Sequence, residues 1–508
     1  MNLTKKLFSY IVAIAMIFTL TAFAGGAVNA ADAKTPYTLT LQNDGKTAHT
    51  FQVYQIFTGD LSEGILSNVQ WGNGVSEDGQ TALGDAAAKA EALAKSTDSL
   101  AAKTFAEDLQ KYLQNGTEKE VAANQTASID GLAAGYYLVK DKASSQNQTN
   151  GAYTSYILKV VKNTTATTKL DVPTVEKKVQ DTNDSTGETS GWQDSADYDI
   201  GDEIPYQITG TMPANIDAYT SYKYVFTDTM SKGLTYTPNT AKITIDGTEV
   251  TSSFKEEVTQ NADETGKTKV TWSCDDLKTA GVELTSTTKV VVTYKATLNK
   301  DAVIGSAGNP NTVNLTYSNN PNKDHEGETG KTPDDKNIVF TYKTVVNKVD
   351  KDNHPLAGAG FTLQKEYKKE DGTTEYRDVE TIEAKDEKST FEFKGLDDGN
   401  YKLIESTTPA GYNTITPVEF TISATHDVES ADPKLTELTV SVTKGSDEAT
   451  FTADTDAGSL TTYVVNKKGS TLPETGGMGT TLLYAVGGVL VALAAAYIII
   501  SKKHEKAE

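Results

Sequence analysis

The segment Thr480–Ile500 constrains this chain more than any other, because it runs for twenty-one residues without a charge. At about 1.5 Å per residue it spans roughly 30 Å, the hydrocarbon thickness of a bilayer, so a membrane helix is expected there. Lys502, Lys503 and Lys506 follow it and favour a cytoplasmic end. Leu472-Pro473-Glu474-Thr475-Gly476 stands just before it. At the other end, Lys5 and Lys6 precede the mainly apolar Leu7–Ala24 and the small-residue exit Val28-Asn29-Ala30. That is the layout of a secretory signal peptide over residues 1–30; a membrane anchor is the alternative, and the small residues favour cleavage. The 445 residues Ala31–Thr475 are then expected to be exported.

Such a length exceeds a single core, and about three domains are expected. The charge of −22, from 47 Lys+Arg against 69 Asp+Glu, argues against nucleic acid and anionic lipid as partners, since both are polyanions. With Cys274 the only cysteine, no internal disulfide braces an exported protein. The five histidines lack metal-ligand spacing, and no Ser/His/Asp set or phosphate loop is present. Neither a cofactor nor a metal nor an external enzymatic activity is expected.

Three domains follow in order. Residues 31–169 open with the alternating strand Tyr37–Leu41 and the run Phe51–Phe57, expected to be its hairpin partner. Ala-rich helices are predicted over Asp85–Lys95 and Asp98–Leu113, with Asn115-Gly116 as the stop. Strands return at Gly131–Leu138 and at Tyr156–Val161, the latter expected to close the domain. Residues 170–336 are strand-rich without helical periodicity, which indicates an antiparallel sandwich. Tyr222–Thr229, Lys242–Ile245, Lys269–Trp272 and Lys289–Ala296 are its clearest strands, and 319–336 is expected to be a loop or linker. Residues 337–470 hold short strands at Phe361–Leu363, Thr390–Phe393, Tyr401–Ile404, Phe420–Ile422 and Thr462–Val465. Gly395-Leu396-Asp397-Asp398-Gly399-Asn400-Tyr401 echoes Gly131-Leu132-Ala133-Ala134-Gly135-Tyr136-Tyr137. The fold class expected is mainly β: three tandem Ig-like or CnaB-like sandwiches, the first with inserted helices. Residues 471–508 form the tail.

Several lysines, acids and asparagines lie inside apolar strands. Lys348 sits within Val345–Asp350, Glu405 closes Gly399–Glu405, and Asn466 ends Tyr463–Asn466. In the middle domain, period two puts Val175, Lys177 and Val179 on one face, so Lys177 rather than Lys178 points inward. It likewise places Asp228 with Tyr224, Phe226 and Met230, and Asn311 with Val313, Leu315 and Tyr317; Asn319 keeps the same phase. A buried lysine favours its neutral, nucleophilic form, and a buried carboxyl its protonated form. An amine, an acid and an amide held together by folding would suit amide transfer with loss of ammonia.

The third domain resembles the CnaB-type domain of Gram-positive adhesins and pilins, in which a lysine of the first strand bonds to an asparagine of the last with the help of a glutamate. By its motifs this implies a Lys348–Asn466 isopeptide bond promoted by Glu405. The middle domain resembles that of pilus shaft subunits and implies a Lys177–Asn311 bond promoted by Asp228, with Asn319 the reserve. Domain one has no lysine in its first strand, so no bond is expected there, although Asp141 and Asn163 align with Glu405 and Asn466. Leu472, Pro473, Glu474, Thr475 and Gly476 resemble the cell-wall sorting signal, which sortase cuts between Thr and Gly. As a whole the chain resembles the major subunit of a sortase-assembled pilus. That resemblance implies identical subunits in a head-to-tail polymer, a class C and a housekeeping sortase, accessory pilins and peptidoglycan as partners. It also implies an acceptor lysine between the first two domains. The Tyr-Pro-Lys sequence usual there is absent; Lys169 fits the position, with Lys162 the reserve. A monomeric wall-anchored adhesin or accessory pilin is the alternative.

Overall fold

The computed structural model describes residues 36–504 except 45–46, 96–98, 143–148, 150, 154, 169–171, 322–327, 386, 446, 448 and 470–477. The signal segment, Lys169 and Leu472–Gly476 therefore lie outside the described residues. The β class is confirmed, and the strands form two facing sheets in each of three units.

In the first unit one sheet has the order Gln125–Leu132, Tyr37–Asn43, Thr164–Thr168. The other has the order Ile65–Trp71, His49–Ser62, Gly135–Asp141, Ser155–Val160, with Thr117–Val121 also on His49–Ser62. Leu39 and Leu41 meet Phe51, Val53 and Val139 between the sheets. The second sheet buries its other face, through Phe57, Tyr136 and Leu138, under Ala90, Leu93, Phe105 and Leu109 of the helices Ala86–Lys95 and Ser99–Gln110. The first helix ends at Lys95 as expected, and the second ends at Gln110, short of the expected Leu113. Two strand expectations need correction. The runs at Tyr37 and Phe51 are not hairpin partners; they stack face to face from different sheets, because each offers an apolar face to the other. The run at Tyr156 does not close the unit, because Thr164–Thr168 adds a strand parallel to Tyr37–Asn43. That strand is four threonines around a buried Ala166, too polar to stand out from a linker. A short helix, Glu77–Leu83, also went unread; the Ser76 hydroxyl caps it by accepting from Gly79 N.

The middle unit packs the Val175–Val179, Glu203–Thr211, Lys289–Leu298 and Lys242–Ile245 strands against a sheet built on Tyr224–Met230, Asn309–Ser318 and Thr268–Cys274. Its core is unusually aromatic, with Tyr206, Tyr222, Tyr224, Phe226, Trp272, Tyr294 and Tyr317 fully buried or nearly so. Asn309–Ser318, which carries Asn311, is not the last strand of the unit. Asp335–Phe340 pairs with it antiparallel and with Ser195–Asp197 parallel, so the expected linker contains Thr329–Lys331 and the start of a core strand. The expected 336/337 boundary falls within that strand: Val339 joins the middle core, while Ile338 and Phe340 join the third.

The third unit has a four-stranded sheet, Thr390–Leu396, Tyr342–Asp350, Ser459–Asn466, Ala449–Asp454, facing a five-stranded one. Its first and last strands run parallel and adjacent, as in the first unit. The sequence echo has a structural basis. Gly131 and Gly395 both turn at positive φ, 78° and 77°, which favours glycine. The Tyr137 and Tyr401 hydroxyls each donate to the carbonyl four residues back, Ala133 O at 2.8 Å and Asp397 O at 3.1 Å.

The Met478–His504 helix carries the apolar tail, and its Tyr484, Val489, Leu490, Val491, Leu493 and Tyr497 are exposed. Among the described residues alone no helix is long and apolar enough to cross a membrane; the side chains described on this one cover residues 484–497.

A buried lysine joins the middle and third units. Lys365 Nζ donates to Asp184 Oδ2 at 2.9 Å and Asp199 Oδ2 at 2.6 Å, both of the middle unit, and to Asp397 of its own. Burial opposes its charge, but Asp397, Asp199 and Asp184 overcome that and hold its pKa above the usual lysine value. Lys365→Met leaves these carboxylates without their cation and should cost about 3–5 kcal/mol, read as a lower midpoint of thermal unfolding. Nearby, burial together with Asp199 and Asp184 pushes Asp202 up to about 6. The folded state therefore keeps a proton that the unfolded chain releases near pH 4. The stability this gives is present at low pH and is lost as pH rises through about 6. The midpoint should be higher at pH 5 than at pH 7, and Asp202→Asn should flatten the difference.

Candidate functional site

In the middle unit the structure brings Lys177, Asp228 and Asn311 together. Lys177 and Asp228 are fully buried, and Lys177 Nζ donates to Asp228 Oδ1 at 2.6 Å. Period two and strand pairing create the meeting. Lys177 faces inward from an edge strand, and Asp228 and Asn311 face it from two strands paired so that Met230 opposes Asn311. Tyr294, which the sequence reading missed, links the set. Its hydroxyl lies 2.5 Å from Lys177 Nζ, donates to Asp228 Oδ2 at 2.8 Å, and accepts from Asn311 Nδ2 at 2.9 Å. The rings of Tyr206 and Tyr294 each lie 5.0 Å from Lys177 Nζ. Burial pulls the Lys177 pKa below the usual lysine value, against Asp228 and Asp335. The amine can pass its proton to Asp228 and keep its lone pair. Asn319 lies just past the far end of the strand, six residues beyond Val313, which opposes Asp228. That is roughly 20 Å along a strand, so the reserve asparagine does not join the set.

The third unit arranges the same residue types differently. Lys348 Nζ donates to two backbone carbonyls, Val349 O at 3.0 Å and Val464 O at 2.9 Å. Glu405 contacts the asparagine instead: Asn466 Nδ2 donates to Glu405 Oε1 at 2.8 Å. Ile415 N at 3.1 Å and Thr408 Oγ1 at 3.3 Å fix Glu405 Oε2. The parallel register sets Lys348 opposite Val464, two residues from the Asp350–Asn466 pair. Burial pulls Lys348 down to about 8, against Glu405 and Asp350, which leaves roughly a tenth of it neutral at pH 7. Burial pushes Glu405 up, against its hydrogen bonds from Ile415 and Asn466. The acid can therefore be protonated where it touches the amide. Turning the Asn466 carboxamide end for end brings its Oδ1, which has no hydrogen bond, onto that acid.

In the first unit Leu41 stands where Lys348 stands, two residues before the end of the opening strand, and it is fully buried. Asp141 does match Glu405, four residues past the echoed tyrosine, but its Oδ1 is 2.7 Å from His49 Nδ1. Asn163 does not match Asn466. It precedes its strand rather than ending it, and its Oδ1 accepts from Thr38 N at 3.0 Å. Lys162 is exposed just past the Ser155–Val160 strand. Val172, beyond Lys169, packs on the middle core.

Three segments of the chain match known domain families. Residues 200–321 match a Gram-positive pilin backbone subunit 2, Cna-B-like domain; 343–436 match a prealbumin-like fold domain; 464–507 match the LPXTG cell wall anchor motif. The trypsin-resistant surface T6 protein of Streptococcus pyogenes serotype M6 is 24% identical over 404 residues, 67% of this chain and 70% of that protein. Among solved structures, the T6 backbone pilin of the same serotype, described as a modular three-domain structure, has a TM-score of 0.55 at 19% identity, over 86% of this chain and 100% of that one. The full-length major pilin SpaD of Corynebacterium diphtheriae has a TM-score of 0.48 at 19% identity, over 86% and 99%.

The bridging hydroxyl can be tested alone. Tyr294→Phe keeps the ring but removes the contact shared by Lys177, Asp228 and Asn311. It should lower the fraction of chains that lose ammonia from the middle unit and leave the third unit unchanged, as read by mass spectrometry of proteolytic fragments. Unchanged loss in both would reduce Tyr294 to a packing residue.

Proposed function

We propose that this chain, which carries the backbone-pilin domains and the LPXTG anchor of a Gram-positive pilus major subunit, is polymerised by sortase through Thr475 and braced by autocatalytic Lys177–Asn311 and Lys348–Asn466 bonds. The observation that carries the bracing is a pair of fully buried lysines, each grouped with an acid and an asparagine in a unit that has no disulfide to brace it. In each reaction the neutral amine attacks the carboxamide carbon. A C–N bond to lysine forms, the bond to Nδ2 breaks, and ammonia leaves with a proton relayed by the acid. Asp228 and Glu405 promote the bonds, and no external substrate is turned over.

In the third unit such a bond would shield much of the fold from tension along a shaft. Tension enters at Tyr342 and leaves at Asn466, on parallel neighbouring strands. A Lys348–Asn466 link would route it past residues 349–465, so that much of the unit would stay unloaded. Each link also restricts the unfolded chain much as a disulfide does, which contributes roughly 2–4 kcal/mol by that analogy.

For the polymer, Thr475 supplies the acyl group and Lys169 receives it, with Lys162 the reserve. Buried Lys177 and Lys348 cannot meet a second protein. An acceptor between the first and middle units lies two units away from Thr475, and repeating such a contact gives an open filament. A class C sortase builds the shaft, and a housekeeping sortase passes its base to peptidoglycan; accessory pilins join it. A monomeric wall-anchored protein built from the same parts is the second reading, favoured by the missing Tyr-Pro-Lys sequence.

The mature chain should weigh two ammonia masses less than its sequence. Asp228→Ala and Glu405→Ala should each restore one, and Asp141→Ala none. A wild-type mass equal to the sequence mass sinks the bracing. In cell-wall extract the wild type should give a high-mass ladder that Lys169→Ala collapses to one band. If the ladder survives Lys169→Ala and Lys162→Ala together, the acceptor is elsewhere. Deleting Leu472–Gly476 should leave a membrane-retained precursor; wall-linked protein after that deletion would put the sorting signal elsewhere.

A further inference from the structure

We propose that Asn337 polarises the Asn311 carboxamide and stabilises the oxyanion that forms when Lys177 attacks it. This rests on the Lys177–Asn311 reading. Asn337 is fully buried, and among the described residues neither its Nδ2 nor its Oδ1 has a hydrogen-bond partner; Asn311 Oδ1 has none there either. A buried polar group without a partner costs about 1–3 kcal/mol, so two such carboxamides close together require an explanation.

Their placement supplies one. Asn311 and Asn337 are direct cross-strand partners in an antiparallel pair. Their side chains therefore share a face, with Cβ atoms about 4.5–5.5 Å apart. That face is turned to the lysine: Asp335, two residues before Asn337, accepts from Lys177 N through Oδ2 at 2.6 Å, and Val339, two residues after, lies in the middle core. The strand thus offers Asp335, Asn337 and Val339 to the reacting cluster.

The chemistry needs such a donor. In the third unit the acid touches the asparagine, so Glu405 can polarise the amide it helps to break. In the middle unit the acid is spent on the amine. Asp228 contacts Lys177 and Tyr294, and the Tyr294 hydroxyl meets Asn311 at the nitrogen. Among the described residues no hydrogen bond reaches the Asn311 oxygen, where negative charge must develop. A side-chain rotation of Asn337 brings its Nδ2–H to that oxygen. Lys177 Nζ then bonds to Asn311 Cγ, the oxygen gains charge against the Asn337 donor, the C–Nδ2 bond breaks, and ammonia leaves with the proton held by Asp228. The product carbonyl keeps Asn337 as its partner.

The test follows the loss of ammonia from the middle unit during cell-free synthesis of the mature chain, with proteolytic fragments identifying the linked residues. Wild type should link Lys177 to Asn311. Asn337→Leu, close in size but without a donor, should slow the link by on the order of 10²-fold while the third unit links at its normal rate and the middle unit resists proteolysis as in wild type. Asn337→Asp can donate only when protonated, so its rate relative to wild type should rise as pH falls from about 8 to about 5. A purely structural Asn337 would give no such rise. Wild-type rates in both variants, or a fragment joining Lys177 to Asn337 itself, would overturn the proposal. If the wild-type middle unit loses no ammonia, the underlying bond is absent and the proposal falls with it.

Discussion

The structure depends on burying lysine amines that water would otherwise keep charged. Lys177, Lys348 and Lys365 are all fully buried, and their surroundings decide between two outcomes. Lys365 has three carboxylates and stays an ammonium, an ion-pair clamp between two units. Lys348 has two neutral carbonyls, and burial pulls its pKa down to about 8. Lys177 has one carboxylate and two aromatic faces, and its pKa is lowered as well. The same side chain is a structural cation where acids outnumber it and a latent nucleophile where they do not.

The two latent nucleophiles sit in units of different topology, and their acids take different posts. In the third unit the first and last strands are parallel neighbours. Amine and amide can approach along one edge, and the acid reaches across from the facing sheet to the asparagine. In the middle unit the lysine comes from one sheet and the acid and asparagine from the other. The acid meets the amine directly, and Tyr294 carries the connection to the asparagine. The two acids thus contact opposite members of their sets, Asp228 the amine and Glu405 the amide, which follows from sheet topology rather than from residue type.

Much of this was legible in the chain. The period-two faces of Val175–Val179 and Tyr224–Met230 put Lys177 and Asp228 inside, and both are buried. The echo at Gly131 and Gly395 pointed to one architecture used twice. What could not be read depends on long-range pairing. Tyr294 looked like any aromatic residue of an alternating strand. Thr164–Thr168 looked like a linker because only Ala166 needed burial. Asp335–Phe340 was split by an expected boundary because its two faces serve two cores, and Asn337 was lost with it. Asn163 aligned with Asn466 in sequence, but it stands before its strand rather than at the end of it.

The central claim is that the buried lysines become covalently bonded to asparagine, and an experimental crystal structure of the mature chain tests it most directly. Continuous electron density should join Lys177 Nζ to Asn311 Cγ and Lys348 Nζ to Asn466 Cγ, with a planar amide C–N distance of about 1.33 Å at each. Two separate side chains at hydrogen-bonding distance, in a fully folded protein, would contradict it.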